Sequence, residues 1–172
     1  TSVSQMETFV KGIAHRGLSS VAPENTIPAF KKAKENGFKY VECDVLFSKD
    51  GVPVLIHDAT IDRTSNGTGN VADLTFEELR SFDFGNWFSD EYTGTQIPSL
   101  DEFMSLCKKL SLHPYIEIKS ATQENMTAIH NIIKSHRMEK NVTIIGSPSY
   151  LTTLGNMCPY YNLGYVIREV TQ

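Results

Sequence analysis

The sequence predicts an α/β domain built on a parallel sheet, and three observations carry that expectation. Short apolar runs alternate along the chain with amphipathic segments of helical period, the pattern left by βαβ units. Two of those runs, in Tyr40–Phe47 and Tyr115–Lys119, carry charges at every second position, so charged and apolar side chains fall on opposite faces. The composition is globular: 172 residues, 40% hydrophobic and 21% charged, suit one domain with a single core.

The first strand is expected over Phe9–Ala14, running into His15-Arg16-Gly17. A helix follows from Asn25 or Thr26 to Asn36, where Ile27, Phe30 and Ala33 share a side and Gly37 is a stop signal. Tyr40–Phe47 is the next strand, and Val54–Ile56 is a short one after the Lys49-Asp50-Gly51 turn. Between Ala59 and Pro98 the alternation breaks. This stretch is rich in turn formers from Ser65 to Asn70 and reads as an insertion over one end of the sheet. Thr75-Phe76-Glu77-Glu78 within it matches a capping box, in which the N3 carboxylate reaches back to the cap amide. Ser99-Leu100-Asp101-Glu102 matches a second, opening a helix to about Leu110. The remainder reads as a strand at Tyr115–Ile118, a helix near Gln123–Ser135, a strand at Val142–Ile145, a short helix after Ser147-Pro148 and a last strand at Tyr161–Ile167. That makes about six strands, with no internal repeat.

Charge and cysteine usage exclude several classes. The net charge is −4, and no basic cluster exceeds Lys31, Lys32 and Lys34, which read as a solvated helix face. A nucleic-acid binder needs a basic surface to displace counterions, so nucleic acid is not an expected partner. Cys43, Cys107 and Cys158 have no metal-binding spacing, and their odd number does not make a disulfide framework. No stretch approaches the roughly 20 apolar residues of a membrane span. The N-terminal residues lack the basic-then-apolar order of a signal peptide, which favours a cytoplasmic protein; a mature secreted form is also compatible with a start at Thr1.

The alternating charges are the most informative feature. Glu42 and Asp44 point to one face of their strand, and Glu117 and Lys119 share a face in the same way. A lone pair of this kind more often marks a half-exposed strand. Two of them among helical segments point to a shared polar site, because charges facing a core are costly unless paired or metal-bound. Three acidic oxygen ligands, Glu42, Asp44 and Glu117, suit a hard divalent cation, Mg²⁺ or Ca²⁺, better than zinc. His15 and His57 each follow a short apolar run, at the strand end where barrel and doubly wound folds build their sites. Imidazole titrates near neutrality, so one could take a proton while the other gives one. Arg16 offers a forked donor suited to phosphate oxygens. His113, His130 and His136 read as structural, Asn66–Asn70 as a plain turn, and Phe84, Trp87 and Phe88 as the insertion's own small core.

In order, Ala14-His15-Arg16-Gly17, Pro23-Glu24-Asn25-Thr26, Glu42-Cys43-Asp44-Val45, His57-Asp58, Arg63-Thr64, Asn66-Gly67-Thr68-Gly69, Ile97-Pro98-Ser99-Leu100 and Glu117-Ile118-Lys119 resemble the motifs of the glycerophosphodiester phosphodiesterase family. The resemblance implies a TIM-type (β/α)₈ barrel with a small insertion after the third strand and one divalent cation, Mg²⁺ or Ca²⁺, at its mouth. It implies that Glu42, Asp44 and Glu117 are metal ligands, His15 and His57 the acid/base pair, and Arg16 and Lys119 phosphate contacts. Glu24 and Asn25 would shape the site. The implied substrates are small glycerophosphodiesters such as glycerophosphocholine, cleaved to sn-glycerol 3-phosphate and an alcohol. A closed barrel takes about 200–250 residues. Residues 1–172 therefore read as a single catalytic domain, C-terminally truncated, with 59–98 as an insertion within it. Two other readings stand beside this one: a related barrel phosphodiesterase acting on lysophospholipid or sphingomyelin, and a non-catalytic domain of the same fold. The Pro23–Thr26 and Asn66–Gly69 segments favour the first family, and no motif residue is lost.

Overall fold

A computed structural model describes residues 12–165, which form a six-stranded sheet with helices packed on one face. The strands are β1 (Ile13–His15), β2 (Tyr40–Phe47), β3 (Pro53–Leu55), β4 (His113–Ile118), β5 (Thr143–Gly146) and β6 (Asn162–Tyr165). The helices are α1 (Ile27–Glu35), α2 (Phe76–Arg80), α3 (Leu100–Leu110), α4 (Gln123–Ser135) and α5 (Pro148–Met157). The strands β1, β2, β4, β5 and β6 are parallel neighbours in that order, each joined to the next by a helical crossover. Among the described residues the sheet stays open, with β1 and β6 at its edges. The expected first and last strands lie partly outside the described residues, at Phe9–Lys11 and Val166–Ile167. No helix among the described residues is long and apolar enough to cross a membrane.

The alternation read from the sequence sets the two faces. Ala14, Val41, Cys43, Val45, Ile116, Ile118 and Ile144 are buried in one core with Phe30 of α1, Phe103 of α3 and Ile129 of α4. Phe30 and Phe103 meet at 4.5 Å between ring centroids. The other face carries Tyr40, Glu42 and Asp44 of β2 beside His113, Tyr115 and Glu117 of β4, in register. β4 starts two residues before the expected Tyr115. Pro114 is tolerated there because its missing N–H falls on the β5 side, where pairing begins only at Tyr115 and Thr143.

β3 departs from the expected pattern. It runs antiparallel to β2, pairing Val45 with Leu55 and Phe47 with Pro53. Only Ser48–Val52 separates the two strands, far too short for a parallel crossover, and Gly51 turns the chain with φ of 81°. His57 therefore does not sit at the carboxyl end of a parallel strand as His15 does. β1 and β3 instead occupy the same edge of β2 end to end. His15 pairs with Glu42 from one direction, while Ile56 N–H donates to the Asp44 carbonyl (3.0 Å) from the other. The two histidines thus converge on residues 42–44.

The residues between β3 and α3 have their own apolar cluster, in which Ile61, Val71, Leu79, Phe84 and Ile97 pack with Val54 and Ile56. The Thr75–Glu78 capping box is present. Ser99 caps α3 through Glu102 N–H, but the Glu102 carboxylate turns to Arg80 instead of the cap amide, so the second box is only half made. An unexpected box caps α4, with Asn125 in the place usually taken by Glu or Gln.

The β1–α1 turn is tightly specified. Gly17 has φ of 78°, and a Cβ there would lie 2.7 Å from Ala29 Cβ and 2.8 Å from its carbonyl carbon. Gly17→Ala should destabilise the fold by about 1–3 kcal/mol through strain and overpacking, measured as a shift in urea midpoint at unchanged slope.

Candidate metal centre and active site

β2 and β4 place Glu42, Asp44 and Glu117 together, with one carboxylate oxygen from each within 4.8 Å of the others. Asp44 is fully buried and Glu42 nearly so, at 0% and 6% exposure. Burial, followed by the neighbouring Glu42 charge, pushes the Asp44 carboxyl above its usual range against the opposing pull of Asn25, Lys119 and Arg16. Lys119 Nζ stands 3.0 Å from Glu117 Oε1 and 3.5 Å from Asp44 Oδ1. His15 Nε2 lies 3.0 Å from Glu42 Oε2, and that hydrogen bond raises the imidazole pKa against the effect of burial.

The donor set fits a divalent cation. Glu42 Oε1 and Asp44 Oδ1 are buried and have no hydrogen-bond partner among the described residues. Buried carboxylate oxygens left in this state are costly, and a bound cation would satisfy both. All three ligands are hard oxygens, with neither thiolate nor imidazole in the group, which suits Mg²⁺ or Ca²⁺ chemistry.

Asn25 and Arg16 hold this cluster in place. Asn25 has φ of 57°, a left-handed conformation that Asn tolerates better than most residues. Its side chain grips Asp44 at two points, donating from Nδ2 to Oδ2 (3.1 Å) and accepting the Asp44 N–H at Oδ1 (3.2 Å). Arg16 is also left-handed, with φ of 57°, and its carbonyl accepts the Asn25 N–H at 2.9 Å. Arg16 Nη1 donates to Glu24 Oε2 (3.1 Å), whereas its Nε, 3.4 Å from Asp44 Oδ2, is buried without a hydrogen-bond partner among the described residues. That nitrogen faces the buried carboxylate of Asp44, so the Arg16 charge bears directly on the cluster.

His57 Nδ1 lies 2.8 Å from Asp58 Oδ1. Arg63 grips Asp58 with Nε and Nη2 and Glu24 with Nη1 and Nη2. Hydrogen bonds from Arg63 hold the Asp58 carboxyl well below its usual range despite partial burial. For Glu24 burial acts upward, but the Arg63 hydrogen bonds and the Arg16 and Arg63 charges outweigh it. All seven residues singled out from the sequence therefore lie in or beside one cluster: the three carboxylates with Lys119, His15 and Arg16 in direct contact, and His57 just past the end of the adjoining β3. The sequence reading gave no role to Asp58 or Arg63 and assigned Asn25 only a general shaping part. A signal was present, since a carboxylate directly follows His57 and a forked cation comes five residues later.

The remaining expectations divide. His113 bonds Thr143 Oγ1 (2.8 Å), His130 the Tyr161 hydroxyl (2.6 Å), and His136 Asp101 Oδ1 (2.7 Å), which are local structural contacts. Asn66 is tied to the Asp83 backbone on both its N–H and its side chain, and Gly69 N–H to Asp62, as in a plain turn. Phe84 joins the 59–98 cluster as expected. Phe88 instead packs with Tyr92, Ala22 and Ala29 beside the β1–α1 turn, while Trp87 remains 40% exposed.

Similarity to known proteins is extensive. The sequence profile described as the glycerophosphoryl diester phosphodiesterase family matches residues 15–150. A glycerophosphodiester phosphodiesterase of Caldanaerobacter subterraneus is 40% identical over 170 residues, covering 95% of this chain and 68% of that protein. Glycerophosphodiester phosphodiesterase 1 of Mus musculus is 41% identical over 125 residues, covering 72% of this chain and 38% of its own length. Among solved structures, an Oleispira antarctica phosphodiesterase in complex with the product sn-glycerol-3-phosphate superposes with a TM-score of 0.85 at 32% identity, covering 89% of this chain and 64% of that one. A glycerophosphodiester phosphodiesterase from Agrobacterium tumefaciens gives 0.81 at 32% identity, covering 88% and 64%. This chain thus spans about two thirds of the length of those structures. Its fold is that of their TIM-barrel architecture, with the barrel open among the described residues. The match to the profile and the identity to these relatives establish that the chain belongs to the glycerophosphoryl diester phosphodiesterase family.

Proposed function

We propose that this chain hydrolyses glycerophosphodiesters to sn-glycerol 3-phosphate and an alcohol, with one Mg²⁺ or Ca²⁺ held by Glu42, Asp44 and Glu117. The observation that carries the reading is the meeting of three carboxylates within 4.8 Å beside His15, Arg16 and Lys119. The Oleispira relative, solved with sn-glycerol-3-phosphate, supports the product class.

The cation would supply Lewis acidity to a phosphate oxygen and orient the diester for in-line attack. Arg16 and Lys119, both beside the carboxylate cluster, would bind the remaining phosphate oxygens and offset the negative charge as it grows. Asp58 keeps the His57 proton on Nδ1, which leaves Nε2 as an acceptor. His57 would take the proton of the glycerol 2-hydroxyl as that oxygen bonds to phosphorus. The bond from phosphorus to the head-group oxygen breaks, and His15, held on Glu42, would protonate the departing alcohol. Water then opens the cyclic phosphate by the same proton transfers in reverse, yielding sn-glycerol 3-phosphate.

The test is release of glycerol 3-phosphate from glycerophosphocholine and glycerophosphoethanolamine by residues 1–172, with Mg²⁺ or Ca²⁺ and with EDTA. The expected result is metal-dependent turnover, lost in EDTA. His57→Ala and His15→Ala should each lower kcat by about 10²–10⁴-fold. Full activity in EDTA, or in both histidine variants, would refute the reading.

A further inference from the structure

We propose that Arg63 is a positioning residue for this reaction: its one guanidinium fixes His57 through Asp58 and Arg16 through Glu24. The inference rests on the function proposed above. Four hydrogen bonds define the arrangement. Nε and Nη2 donate to Asp58 Oδ2 (2.8 Å) and Oδ1 (3.1 Å), while Nη1 and Nη2 donate to Glu24 Oε1 (2.7 Å) and Oε2 (3.0 Å).

Each carboxylate passes the constraint to a different residue of the site. Asp58 Oδ1 accepts a hydrogen bond from His57 Nδ1 at 2.8 Å, and Glu24 Oε2 accepts one from Arg16 Nη1 at 3.1 Å. Nothing else among the described hydrogen bonds joins the His57 side chain to the Pro23–Thr26 segment. Without Arg63, Asp58 and Glu24 would lose the cation they share, leaving Arg16 as the partner of Glu24, and the His57 ring would lose the geometry that selects one tautomer. The anchor is itself well seated: the neighbouring Thr64 and Ser65 are buried, and Ser65 Oγ donates to the Ile61 carbonyl at 2.6 Å. The 59–98 region thereby contributes to the site, although none of the seven residues given a site role from the sequence lies in it.

Lysine preserves the charge but cannot offer two donor edges, so Arg63→Lys separates charge from geometry. The Arg63 side chain is 46% exposed, so its loss opens no buried cavity. The experiment uses the 172-residue chain, labelled with ¹⁵N at histidine, with His57 assigned by comparison with His57→Ala. In the wild type the His57 resonances should report a proton on Nδ1 and a free Nε2. In Arg63→Lys and Arg63→Gln they should move toward a tautomer mixture. With glycerophosphocholine, both variants should lose about 10–100-fold in kcat/KM, with kcat lowered through His57 and KM raised through Arg16. In an Asp58→Asn background, Arg63→Lys should cost kcat little more, because Arg63 acts on His57 through Asp58.

Unchanged His57 resonances in the variants would overturn the proposal, as would wild-type kinetics in both. Failure of both variants to fold would also overturn it, because Arg63 would then be a stability residue. A wild type without turnover would count against the proposed reaction, while the resonances would still judge the positioning role.

Discussion

Mutual repulsion among Glu42, Asp44 and Glu117 is the constraint around which the rest of the structure is arranged. At about 4 Å and an effective dielectric near 20, each like-charge pair costs about 4 kcal/mol. Strand register makes the encounter unavoidable, because Glu42 and Asp44 alternate onto one face and Asp44 pairs directly with Glu117. The surroundings offset part of the cost. Lys119 lies between two of the carboxylates, Asn25 holds Asp44 at two points, and His15 touches Glu42. Compensation stops short, since one oxygen each of Glu42 and Asp44 still lacks a hydrogen bond among the described residues and Asp44 retains a raised pKa. A site evolved only for stability would have neutralised those atoms; one that holds a cation has reason to leave them.

The backbone around this cluster is shaped by the same requirement. Arg16 and Asn25 both adopt left-handed φ, and Gly17 allows the chain to pass against Ala29. Strained residues in such a group are characteristic of sites whose surroundings over-determine their conformation. The β2–β3 hairpin makes the complementary contribution. By returning antiparallel along the edge that β1 vacates, it brings His57 to the level of residues 42–44. A right-handed crossover could not have achieved this in so few residues.

Much of this was legible in the sequence. The parallel strands, the helices between them and the three-carboxylate face follow from periods of two and 3.6, because burial on one face enforces the pattern locally. The Thr75 box was likewise readable from short-range chemistry. What was not legible depends on distances that only tertiary structure sets. The direction of β3 was open to inference from its short loop, yet an apolar run has no polarity of its own. Arg63 is separated from Glu24 by 39 residues, and no periodicity links them. Phe88 was assigned to the small 59–98 core but packs with Ala22 and Ala29, because an aromatic side chain in a loop serves whichever apolar surface lies nearest.

Calorimetric titration of Mg²⁺ and of Ca²⁺ into EDTA-stripped chain tests the central claim most directly, with Glu42→Gln and Glu117→Gln titrated alongside. The account predicts saturable binding of one ion per chain, greatly weakened in both variants although each removes a negative charge and relieves repulsion. Absence of binding by the folded chain, or undiminished binding after either substitution, would contradict it.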